Sequence, residues 1–183
     1  FLPRPMGKMN IEIVDCDEYV SRKKLKSIKF VEQSLWKELI AGKQIKVLTS
    51  QLKNGFLLSS VEDFKQPYQS VVNQRVTIPR EEGKDAEPFF FDWTFFDKEA
   101  GLYCMTDASG DKLEEILKWF TLLGEYGIGT DKNIGGGKFT ICTQTIEIPD
   151  VDDANACMLL SLYIPEENEF RNSIDLDNSR YEL

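Results

Sequence analysis

The sequence predicts an α+β protein, and three observations carry that expectation. Leu113, Ile116, Leu117, Phe120 and Leu123 recur at helical spacing behind Asp111 and Glu114, which stand three apart as in a capping box. The run from Lys138 to Ile148 instead alternates every second residue, as a half-buried strand does. Between them, the stretch from Leu122 to Phe139, LLGEYGIGTDKNIGGGKF, holds six glycines, so a long loop leads from helix to strand. Gly124 falls where a left-handed helix cap is expected. A helix packed on an antiparallel sheet is the α+β arrangement.

In chain order, Pro3 and Pro5 are excluded from a central strand and read as a connection. Met9 to Val14 alternates weakly, for a short strand. The basic run Arg22, Lys23, Lys24, Lys26 and Lys29 reads as the solvated face of a strand, with Leu25, Ile28 and Phe30 behind it. Val31, Leu35, Trp36, Leu39 and Ile40 mark a short amphipathic helix stopped at Gly42. Residues 44–49 and 56–61 read as strands joined through Asn54-Gly55, a hairpin turn signal. From Val71 to Arg80 the chain is mostly β-branched and polar, from Glu81 to Asp85 it is charged, and it then returns to apolar residues. That pattern suits an extended loop or a protruding hairpin.

Pro88 to Phe96 is an aromatic run flanked by Asp92, Asp97 and Asp107. It reads as core, with Phe90, Trp93 and Phe96 as the stacking candidates for unpaired bases. Leu102 to Met105 reads as a further strand. Beyond the glycine loop come an acidic turn at Asp150, Asp152 and Asp153, a strand from Cys157 to Ile164, and a charged tail.

Composition narrows the function classes. With 42% hydrophobic and 11% aromatic residues, the 183-residue chain can bury a real core. No apolar run reaches membrane-span length, and there is no signal-peptide pattern. Cys16, Cys104, Cys142 and Cys157 are scattered, without the close pairs of a zinc site or a disulfide framework. A reduced, cytoplasmic protein is therefore expected. The chain has no histidine, which removes the usual general base and the commonest metal ligand; no metal, cofactor or catalytic residue is indicated. The net charge of −9 is unevenly spread. Residues 1–80 carry 14 Lys and Arg against 8 Asp and Glu, a net +6, whereas residues 81–183 carry 8 against 23, a net −15. Local potential rather than total charge steers a polyanion, so the basic half keeps RNA in view while the acidic half suits basic protein neighbours.

Glycine reaches positive φ freely but costs entropy on folding, so a loop this rich in it invites a use. One use is a phosphate cradle, in which successive amides face an anion and Lys132 or Lys138 adds charge. A nucleotide-binding P-loop runs strand, loop, helix and ends in Gly-Lys-Ser/Thr; here the loop follows a helix, enters a strand, and Lys138 precedes Phe139. The dinucleotide fingerprint fails on the same order, since no helix N-terminus follows the glycines. A surface loop without ligand stays open beside the cradle.

The helix, then Gly127-Ile128-Gly129, a short polar insert, and Gly135-Gly136-Gly137-Lys138-Phe139 resembles the glycine-rich signature of the RAMP superfamily, CRISPR-associated RNA-binding proteins. Further stretches narrow the likeness: Phe1 to Pro5, Arg22 to Phe30, Ala86 to Phe90, Ala100 to Tyr103 and Ala154 to Tyr163. Together they are similar to the fourth-subunit family of type III-A Csm effector complexes, relatives of the Cas-five group. The resemblance implies a ferredoxin-like, RRM-like fold. It also implies a two-half protein of which this chain is a fragment, with residues 1–84 a basic connecting region carrying a thumb-like hairpin and 85–183 a C-terminal ferredoxin-like domain incomplete at its end. In that family the thumb lies beside the guide RNA, and Asn73, Arg75 and Arg80 resemble its pattern; Pro79, Glu81 and Glu82 depart from it. Surface arginines paired with those glutamates are the alternative.

By this resemblance the chain is a non-catalytic RNA-binding subunit. It holds the repeat-derived five-prime handle of the crRNA, contacts the large Cas-ten-type polymerase-like subunit and the backbone RAMP subunits, and needs no membrane or DNA of its own. The phosphate-holding set is Gly127, Gly129, Lys132, Gly135, Gly136, Gly137 and Lys138, with Asn73, Arg75, Arg80 and the Arg22, Lys23, Lys24 run. Two other classes stay open. A RAMP-type metal-independent endoribonuclease would have Tyr103, Tyr126 and lysines in place of histidine, and a protein-only interaction module would rest on the acidic half.

Overall fold

The computed structural model describes residues 1–7, 9–62, 64–81, 83–152, 154, 157–161, 163–172, 174–175, 177 and 179, leaving out the side chains of 170–172. The architecture is α+β with a mixed sheet. The chain forms two compact units, residues 1–64 with 147–183 and residues 65–146, a division that does not follow the expected boundary at residue 84.

The first unit runs β1 (Leu2–Pro3), β2 (Ile11–Ile13), α1 (Glu18–Ser27), β3 (Phe30–Val31), α2 (Gln33–Ile40), β4 (Ile45–Val47), a 3₁₀ turn (Thr49–Gln51), β5 (Leu52–Lys53) and β6 (Phe56–Leu57). Its four-stranded sheet has the order β1-β3-β6-β5, with β3 and β6 parallel and the other pairs antiparallel. Pro3 is admitted because β1 is an edge strand. β2 and β4 pair in parallel. Asn54 and Gly55 take φ of 50° and 87°, the doubly positive turn that joins tight hairpins, but they link β5 to β6 rather than the 44–49 strand. The core is here: Val31, Leu57, Leu58 and Val47 are almost wholly buried, and Trp36 reaches across to donate its indole N–H to the Pro3 carbonyl at 3.1 Å.

The basic run corrects one expectation. It is a helix, α1, not a strand face. The Asp17 carboxylate accepts from the Val20 amide at 2.9 Å as an N-cap, Glu18 stands in the first turn, and Lys24 and Lys26 stand in the last, each suiting the helix dipole. Leu25 and Ile28 stand three apart, a helical rather than a strand spacing, and only Ile28 and Phe30 alternate.

The second unit comprises β7 (Tyr68–Thr77), β8 (Glu87–Phe96), α3 (Asp111–Tyr126) and a 3₁₀ turn (Lys132–Ile134). β7 and β8 form the protruding hairpin, in register from Tyr68 opposite Phe96 to Thr77 opposite Glu87. Its aromatic strand is not core. Phe89, Phe90, Phe95 and Phe96 are exposed and Phe91 and Trp93 half-buried, because a two-stranded ribbon has no second layer to cover it. The helix also runs past Gly124 to Tyr126, and Gly127 takes the cap position with φ 90°. Residues 102–105 and 138–148 form no strand, since alternation assigns faces but supplies no neighbouring ladder; the Phe139 amide donates instead to the Gly124 carbonyl at 3.2 Å. The expected strand from Cys157 to Ile164 is likewise absent among its described residues, while Leu162, Asp153 of the acidic turn and Glu82 lie outside them. A short helix, α4 (Glu167–Asn172), follows in the first unit. Among the described residues no helix is long and apolar enough to cross a membrane.

Candidate functional site

The second unit is built around glycine. Its only buried positions among the described residues are Gly124, Gly127 and Gly136. The loop closes on itself where the Ile128 amide donates to the Gly137 carbonyl at 3.0 Å, and the 3₁₀ turn folds inside that closure. The Ile134 and Gly136 amides both donate to the Asp131 carbonyl at 3.1 Å, and Gly135 donates to the Lys132 carbonyl at 3.1 Å.

That internal bonding decides which donors are left for an anion. Gly135 and Gly136 satisfy their own loop, whereas the amides from Gly129 to Asn133, and those of Gly137 and Lys138, donate to no backbone acceptor among the described residues. Five consecutive donors on the leading half of the loop make the better cradle. Lys132 belongs to the same run, with its ammonium 4.3 Å from the Tyr126 ring centre, a cation-π contact that steadies it while leaving it half-exposed. Lys138 is exposed and lines a shallow groove with Gly124, Glu125, Phe139 and Thr140.

The hairpin meets this loop at two points. Arg75 bonds through Nη1 to Asp131 Oδ1 at 3.0 Å, and its guanidinium carbon lies 4.2 Å from the Phe91 ring centre. Gly136 faces Trp93, where a β-carbon would stand 3.1 Å from the indole ring. Asn73, Gln74, Arg75, Phe91, Trp93 and Phe95 line one groove. Thus Arg75, placed together with the glycine loop only by resemblance, touches it, and Asn73 lines the groove beside Arg75. Arg80 is exposed in the connection from β7 to β8, and it is Lys84 that pairs with Glu81, at 2.6 Å. Arg22, Lys23 and Lys24 lie on α1 in the other unit, where Arg22 bonds Glu18 at 2.6 Å.

Sequence reasoning missed Asp131 and the full role of Trp93. An aspartate inside Gly-Thr-Asp-Lys-Asn reads as a turn former, and no local pattern announces an arginine 56 positions upstream. The need for a small residue at Gly136 was visible as glycine richness, but not the indole that imposes it.

No family model matches the chain, and neither the curated proteins nor the solved structures yield a significant match.

Proposed function

We propose that this chain is a non-catalytic RNA-binding subunit of a type III-A CRISPR interference complex, with the ferredoxin-like RAMP fold that such a role entails. Its ligand is the five-prime handle of the crRNA, and its protein neighbours are the large Cas-ten-type subunit and the backbone RAMP subunits. The observation that carries the reading is the junction of hairpin and glycine loop: free amides from Gly129 to Asn133, Lys132 beside them, and Arg75 held against the loop by Asp131. Amides and cations so arranged hold phosphates, while shape rather than a base code gives register. The motifs resembling the family supply the rest of the argument.

The test is anisotropy of a labelled guide RNA with its intact handle against a scrambled one, at two salt concentrations. Handle-dependent binding that falls steeply with salt, without cleavage, is the expected result. Replacing Lys132 and Lys138 by Glu lowers the salt slope by about 0.7 for each phosphate of the single strand that is no longer neutralised. A flat slope overturns the phosphate cradle.

A protein-only module is the second reading, and one observation favours it. Val72, Phe90, Val76 and Phe96 share the other hairpin face and are all substantially exposed. A pull-down of a basic partner by a chain that binds no RNA selects it.

A further inference from the structure

The register of the hairpin sorts its aromatics into two sets. Phe89, Phe91, Trp93 and Phe95 alternate with Phe90, Asp92, Thr94 and Phe96, so the first four share a face with Asn73 and Arg75 of the paired strand. Their rings form a continuous row with successive centres 6.2, 6.3 and 5.9 Å apart. On this face the only acidic residue of β8 is Glu87 at the strand's start, whereas Asp92 points to the opposite face. The groove over the row has an aromatic floor and polar walls. Asn73 uses its amide nitrogen on the Val71 carbonyl at 3.2 Å, while its side-chain oxygen accepts no hydrogen bond among the described residues, and Arg75 engages Asp131 through Nη1 alone.

We infer that this groove seats unpaired bases of a single-stranded nucleic acid, stacked against Phe95 and Trp93 with Asn73 and Arg75 beside them. The inference rests on the RNA-binding reading above and adds base contact to a site otherwise argued from phosphates. Every base has a π-face, so such a platform is tolerant of sequence but requires a base to be present. The carboxamide and guanidinium match the donor and acceptor edges that unpaired bases expose. A lipid or a purely apolar peptide segment has no use for those two groups. The floor is also joined to the cradle, because Gly136 lies against Trp93 and Asp131 holds Arg75. A strand crossing the groove therefore delivers its neighbouring phosphates to the loop.

The experiment compares three labelled probes on the full chain by anisotropy: a single-stranded RNA oligomer, an abasic oligomer of equal length, and an RNA duplex. The single strand binds more tightly than the abasic probe, and Phe95→Leu weakens the single strand by about tenfold while leaving the abasic probe unchanged. Phe95→Tyr keeps the ring and keeps the preference, and matching circular dichroism of the two variants guards against a folding defect. Equal binding of single-stranded and abasic probes overturns the inference but leaves the phosphate cradle standing. Base-dependent binding that Lys132→Glu and Lys138→Glu do not weaken upholds the groove and removes the cradle. A chain that binds no probe, or takes an aromatic-rich peptide in the groove instead of RNA, overturns both.

Discussion

Gly137 and Gly124 close the loop for different steric reasons. Gly137 has φ of 69°, and a β-carbon there would run into the Ile128 carbonyl; Gly124 is helical, but a β-carbon on it would run into the Phe139 carbonyl. Replacing Gly137 by Ala therefore opens the closure at a cost of about 1–3 kcal/mol, read as faster hydrogen exchange of the Ile128 amide; unchanged protection there refutes the steric argument. Glycine richness was plain from the sequence, but which glycine does what depends on contacts with Ile128 and Phe139 that spacing does not encode. Glu32 illustrates a second residue-scale effect. Burial pushes its carboxyl upward, but the Ser59 hydroxyl and amide at 2.5 and 2.8 Å and the Ser34 hydroxyl at 3.1 Å prevail, holding it below the usual 4.5. A depressed carboxyl contributes stability above its unfolded pKa and loses it as pH falls through the folded one. The melting temperature should thus decline below about pH 4.5, less steeply in Glu32→Gln; Glu32 is only half-buried and solvent screens its partners, so the difference is below about 1 kcal/mol. Identical acid limbs in the two proteins remove Glu32 from the account.

At the scale of elements, the coupling of hairpin to loop rests on Arg75 and Asp131, both about a third exposed, at 37% and 31%. Solvent screens such a pair, so a double-mutant cycle of Arg75→Ala and Asp131→Ala should return about 0.2–1 kcal/mol, with the destabilisation from Arg75→Ala alone larger because its packing on Phe91 goes too. A coupling energy of zero means that Gly136 against Trp93 holds the two elements together unaided. Helices α2 and α3 were legible because four apolar residues in α2 and five in α3 repeat at helical spacing, and the hairpin was legible from its charged interruption; Val31, read with α2, belongs to β3. α1 was not, since its apolar residues are too few to show a period and its N-cap Asp17 acts through one bond to Val20. The 138–148 alternation misled for the opposite reason: the pattern is present, and the ladder that it needs is not.

Across the whole molecule, charge and burial are segregated. Every buried large apolar side chain among the described residues belongs to the first unit, from Leu2 to Leu58, while the second unit exposes its aromatics and buries glycines. Such a partition fits a chain whose second unit gains its covering from a ligand, and the candidate groove and cradle both lie in it. The sequence made the charge asymmetry countable, whereas the distribution of burial between units depends on long-range pairing and was not readable. The basic residues of α1 sit in one unit and Lys132 with Lys138 in the other, so the reach of a bound RNA can be measured by charge reversal. If one guide RNA engages both, Arg22→Glu with Lys23→Glu lowers the salt slope, Lys132→Glu with Lys138→Glu lowers it too, and the combined variant shows the sum, about 0.7 per phosphate released. Additivity is expected because the two sets belong to separate compact units and each acts on its own phosphates. If the α1 variant keeps the full slope, the basic run is solvated surface, and RNA is held by the glycine loop and hairpin alone.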